Sequence, residues 1–225
     1  MAQSFWDAAA PLIAVTEKHP FLVAMVDGTL SLGSFQYYVD QDALYLTDFA
    51  NCLNMLGDKL AEAGDAEASK RLRQLATGAE EDEKELHRSF FSKWNIDDSA
   101  AEAMPNTLLY TSYMLRVVAT RPVEEGLAVL LPCFWVYMHV GKCMLALREE
   151  LGDSVTRPPQ YDAWIDMYSG EEFEREVNDY IAIVDKAAKT ADEGTLKQME
   201  EHFIMSCKLE HLFWNQAHEL MQWPI

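Results

Sequence analysis

The chain has 225 residues, 49 % hydrophobic and 24 % charged, enough to bury a large core as a single domain over 1–225. Its 37 acids against 18 bases give a net charge of −19, a surface that repels phosphate backbones and argues against nucleic acid as a partner. No uninterrupted apolar run reaches about 18 residues and no basic-then-apolar leader opens the chain, so neither a membrane span nor a secretory signal is expected.

Helical periodicity runs through nearly the whole sequence. Ser4 and Asp7 are expected to cap a first helix that reaches about Lys18 and bends at Pro11. Pro20 opens a short helix ended by Gly28. Ser31 caps a long helix over about 32–63, closed by Gly64. The next is expected over about 65–93, with the acid-rich stretch 80–85 as a solvated face. Further helices are expected near 106–120, 122–149, 161–168, 171–191 and 196–223, punctuated by Pro105, Pro122 and the Pro158-Pro159 pair. No alternating strand pattern or internal repeat occurs. The expected class is all-α, a helical bundle.

Two carboxylates interrupt apolar stripes. In the second long-period segment Phe35, Tyr38/Val39, Asp42, Tyr45/Leu46, Phe49 and Leu53 recur at helical spacing. In the last helix Phe203, Cys207, Glu210, Phe213/Trp214 and Ala217 do the same. Burying an unpaired carboxylate costs several kcal/mol, so Asp42 and Glu210 must each find a partner or be protonated. Satisfied structural carboxylates fit this pattern, and so does a polar cavity within the bundle.

Between these stripes lies Leu131-Pro-Cys-Phe-Trp-Val-Tyr137, inside a run from Leu127 to Met138 that carries no charge. A proline there removes one helical hydrogen bond and crowds the Ala128 carbonyl, so a kink is expected, turning Cys133 toward a cavity with Tyr137 on the same face. Such a thiol can serve as a nucleophile, or simply as a small buried hydrophobe. Cys52, Cys143 and Cys207 read as core thiols. With no CxxC pair, the four cysteines suggest a reducing, cytoplasmic setting and no zinc site.

Several chemistries lack their residues. None of the six histidines has glutamate three positions before it, as inward di-iron pairs would need. His19, beside Pro20, fits a helix cap better than a haem ligand. Glycine-rich phosphate loops and a GxSxG elbow are missing.

Five segments together resemble the TenA/THI-4 family, the thiaminase II-type aminopyrimidine aminohydrolases of thiamin salvage. They are the stretch from Ser34 to Leu46, Tyr110-Thr-Ser-Tyr113, Leu131 to Tyr137, Trp164 to Gly170, and Phe203 to Trp214. The resemblance covers nearly the whole chain. It implies a haem-oxygenase-like bundle without haem, assembled as a homotetramer, with no metal and no organic cofactor. The implied substrate is an aminopyrimidine or thiamin. By the same resemblance Asp42 anchors the pyrimidine beside Tyr45, and Cys133 is the nucleophile. Tyr110, Tyr137 and Tyr168 line the pocket, and Glu210 moves protons with Phe213 as its aromatic neighbour. A non-catalytic pyrimidine-binding or regulatory protein on the same fold is the alternative.

Overall fold

The computed structural model describes residues 1–79 and 102–225. Nine α-helices account for nearly all of the described chain: α1 (Ala2–Thr16), α2 (Pro20–Val26), α3 (Leu32–Glu62), α4 (Ala66–Gly78), α5 (Pro105–Thr120), α6 (Val123–Leu151), α7 (Pro159–Ser169), α8 (Glu171–Thr190) and α9 (Glu193–Glu219). No strand occurs among the described residues.

Local chemistry sets the helix starts. His19 Nδ1 accepts from the Phe21 N–H at 3.1 Å, with Pro20 supplying a first helical position that needs no donor. Ser31 Oγ accepts from Ser34 N–H at 3.0 Å, and Asp192 Oδ1 from Thr195 N–H at 2.7 Å. Gly28 takes φ +76°, and a side chain there would meet the Thr156 carbonyl at 2.7 Å, so the turn after α2 requires glycine.

Helix α6 is the axis of the fold. It packs against α2, α3, α5, α7, α8 and α9. Its most apolar 18 residues have a mean hydropathy of 1.4, long and apolar enough to cross a bilayer, but 72 % of that window is buried within the protein. That is the position of a core helix. The helix runs on through Pro132. Beside that gap in the ladder, the Tyr180 hydroxyl of α8 donates to the Leu127 carbonyl at 3.0 Å.

A polar network joins α5, α6 and α9. Arg121 reaches Glu125 with two nitrogens, at 2.8 and 3.3 Å. His202 Nε2 lies 2.9 Å from the same carboxylate, and the Tyr113 hydroxyl 2.7 Å from His202 Nδ1.

Three sequence expectations need correction. Ser4 and Asp7 do not cap α1, which begins ahead of them at Ala2. Ser4 instead donates to the Met1 carbonyl at 2.7 Å, and Asp7 accepts from Gln3 at 2.9 Å. The last helix stops at Glu219 rather than Trp223, because Leu220 turns left-handed at φ 51°. Cys143 is half-buried against His139 rather than a core thiol. The expected continuation of the helix from Asp65 through 80–93, including the acidic stretch, lies outside the described residues.

Candidate active site

Five helices converge on one buried polar cluster inside an aromatic wall. α3 supplies Tyr38, Asp42 and Tyr45, one turn apart along its inner face. Tyr110 comes from α5, Cys133 and Tyr137 from α6, Trp164 and Tyr168 from α7, and Glu210, Phe213 and Trp214 from α9. Asp42 is 3 % exposed and Glu210 1 %, while Cys133 is half-buried. All eight residues singled out from the sequence fall in this cluster.

Glu210 sits at its centre. The Tyr110 hydroxyl donates to Glu210 Oε1 at 2.7 Å. Burial pushes the Glu210 carboxyl up to about 8; the Tyr110 hydrogen bond pulls it down and the nearby Asp42 charge pushes it further up. At neutral pH most of this carboxyl therefore carries a proton. Burial likewise holds the Tyr45, Tyr110 and Tyr137 hydroxyls well above their ordinary range, so they act as neutral groups. The Tyr45 hydroxyl lies against the Cys133 thiol and Tyr110 without a well-aligned bond to either.

The aromatic wall closes the other side. Tyr45 packs against Tyr110 at 4.9 Å and Phe213 at 5.6 Å between ring centres. Tyr137 packs at 5.0 Å against both Tyr168 and Trp214. Gly141 permits this: a side chain there would meet the Tyr168 carbonyl carbon at 2.6 Å, so only glycine lets α6 approach the end of α7 this closely. Three wall residues escaped the sequence reading. Trp164 Nε1 donates to the Tyr38 hydroxyl at 3.2 Å, which in turn faces the Tyr137 hydroxyl at 3.5 Å. Trp214 Nε1 is a buried donor with no partner among the described residues. Tyr38 and Trp214 stood on apolar stripes and read as core; only their polar tips distinguish them.

The other buried thiols differ. Burial raises Cys52 to about 12 and raises Cys207 too, so neither ionises near neutrality. A groove of about 410 Å³ between α4 and α8 holds none of the cluster residues. Two of its cations are held in ion pairs, Arg71 with Asp179 at 3.0 Å and Lys186 with Asp65 at 2.6 Å. The cluster, not the groove, has reactive chemistry: a half-buried thiol, a protonated carboxyl, a second carboxylate and flat aromatic faces.

A model of the TENA/THI-4/PQQC family matches residues 6–220. An aminopyrimidine aminohydrolase of Bacillus subtilis (strain 168) is 35 % identical over 208 residues, covering 91 % of this chain and 84 % of its own. Another, from Halalkalibacterium halodurans, is 29 % identical over 225 residues, 99 % of this chain and 97 % of its own. A TenA homologue from P. horikoshii OT3 superposes with a TM-score of 0.85 at 24 % identity, over 97 % of this chain and 98 % of that one. A Shewanella denitrificans OS217 domain with a haem oxygenase-like fold gives 0.76 at 12 % identity, over 98 % and 93 %. The fold is therefore all-helical and haem-oxygenase-like.

Proposed function

We propose that this chain, which belongs to the TENA/THI-4/PQQC family, is an aminopyrimidine aminohydrolase that uses Cys133 as its nucleophile. The proposed substrate is 4-amino-5-aminomethyl-2-methylpyrimidine, converted with water to the 5-hydroxymethyl compound and ammonia. The names of the two relatives support the reaction class. The observation that carries the reading is the convergence of buried Glu210, bonded to Tyr110 at 2.7 Å, with buried Asp42 and the Cys133–Tyr45 pair in one cluster.

Each residue has a task its surroundings suit. Asp42 accepts hydrogen bonds from the amino edge of the pyrimidine and fixes its orientation. The aromatic wall stacks on the ring. Cys133, as thiolate, adds to ring carbon 6, and the ring electrons expel the amine from the exocyclic methylene. Glu210 gives that amine its proton and leaves as the carboxylate. Water then adds to the methylene and returns a proton to Glu210, and the thiolate departs from carbon 6. Atoms and charge balance over the cycle. Thiamin fits the same addition and expulsion, with its thiazolium leaving as neutral thiazole without a proton from Glu210 and the proton of the added water released to solvent.

Exposed Leu108, Leu109, Met205 and Leu212 on α5 and α9 leave apolar surface for a homotetramer, which sedimentation would detect. The decisive test is ammonia release from the aminomethylpyrimidine, run beside thiamin cleavage. One ammonia per hydroxymethylpyrimidine formed supports the reading; no turnover of either compound rejects it.

A further inference from the structure

We propose that Glu17, His139 and Cys143 form a site for a borderline-soft divalent cation such as Zn²⁺, separate from the aromatic cluster. His139 and Cys143 stand four residues apart on α6, so they share a face. Glu17 closes the end of α1 and reaches them across 122 positions of sequence. Glu17 Oε1 lies 2.6 Å from His139 Nε2, and Cys143 Sγ lies 3.7 Å from that same nitrogen. All three ligand atoms fall within 4.8 Å of one another.

The direction of these contacts matters. A proton relay would engage the two ring nitrogens of histidine with different partners. Here the carboxylate and the thiol both converge on Nε2, as ligands around a shared ion do. Tetrahedral zinc with ordinary bond lengths sets its nitrogen and sulfur ligands about 3.6 Å apart, and nitrogen and oxygen about 3.3 Å. The first spacing is already present; the second needs an opening of only about 0.7 Å. One thiolate and one carboxylate neutralise a divalent charge, and binding releases two protons to solvent, one from the thiol and the one His139 Nε2 shares with Glu17. A nitrogen, oxygen and sulfur set selects zinc-like ions over calcium or magnesium. The Trp6 ring meets the His139 ring edge-on at 5.1 Å and packs on Trp135 at 4.6 Å, holding the imidazole in place. Half-burial of all three residues admits water as a fourth ligand. Bound metal would staple the end of α1 to the middle of α6.

Cysteine spacing could not reveal this site, since it contains one cysteine and no CxxC pair. The test is titration of chelator-stripped protein with Co²⁺ alone, followed by the near-ultraviolet thiolate-to-cobalt band, then displacement by Zn²⁺. The expected result is one ion per chain, with the band lost in Cys143→Ser and His139→Ala and kept in Cys133→Ser. Glu17→Gln, which keeps the shape of a half-buried side chain, should weaken binding with the fold intact by circular dichroism, and decides the case if His139→Ala misfolds. Absence of the band in the wild-type protein overturns the proposal. So does a band that survives Cys143→Ser, or binding that ignores both Glu17→Gln and His139→Ala.

Discussion

Glu125 and Glu210 are both sealed in the helical core, 3 % and 1 % exposed, yet their surroundings are opposite. Glu125 is met by two Arg121 nitrogens and by His202. Glu210 has a neutral tyrosine hydroxyl and the like charge of Asp42, and its carboxyl rises to about 8. A buried acid met by a guanidinium and an imidazole ties helices together. One without them keeps its proton until a reaction calls for it. The identity of the partner, more than the depth of burial, separates structure from chemistry.

The largest expected effect separates them by activity. Glu210→Gln replaces a mostly protonated carboxyl by an amide of the same shape, so the fold should survive while kcat falls by about 10²–10⁴-fold. The pH–rate profile of the wild-type protein should lose activity on the alkaline side near 8, where Glu210 gives up its proton, and the variant should lack that limb. Steady-state kinetics across pH on both proteins checks this.

Glu125→Gln should do the reverse. It strips the charge that Arg121 and His202 face, and urea unfolding should report a loss of about 1–3 kcal/mol. The figure stays below that of a fully buried pair because the Arg121 side chain is 42 % exposed. Turnover per folded molecule should remain near that of the parent.

A further effect is a tilt in stability with pH. The Glu210 carboxyl is raised from an ordinary 4.5 to about 8 in the folded chain. Between those values the unfolded chain loses the proton first, so the unfolded state binds fewer protons and this residue's contribution to stability falls as pH rises. Below about 4.5 both states are protonated and the contribution is level. Glu210→Gln removes the tilt. Its Tm relative to the parent should therefore climb from the acid to the alkaline end of that window.

The sequence exposed Asp42 and Glu210 because each broke an apolar stripe at helical spacing, a pattern that side-chain chemistry alone makes visible. Glu125 drew no notice: it stands in the first turn of α6 after Pro122, where an acid suits the helix dipole, and nothing local marks its burial. Tyr38 and Trp214 passed as core because stripe position records depth and says nothing of a hydroxyl or ring N–H. Helix boundaries were legible where a side chain caps or a proline opens, as at Ser31 and Pro105, and misread at Ser4, which lies inside the helix it was expected to cap. Glu17 meeting His139 is a contact across the fold, beyond any periodicity.

Cys133 gives the most direct test of the account. Cys133→Ser changes one atom beside an unchanged Pro132, so the thermal midpoint and the binding of the hydroxymethylpyrimidine product should stay near those of the parent. A serine hydroxyl is far less ionised than a thiol at neutral pH, and the adduct at carbon 6 should form too slowly for turnover. The measurement is ammonia release by this variant with product binding recorded on the same preparation. Turnover reduced by orders of magnitude with binding retained is the predicted result; near-parental turnover would contradict the nucleophile and with it the proposed mechanism.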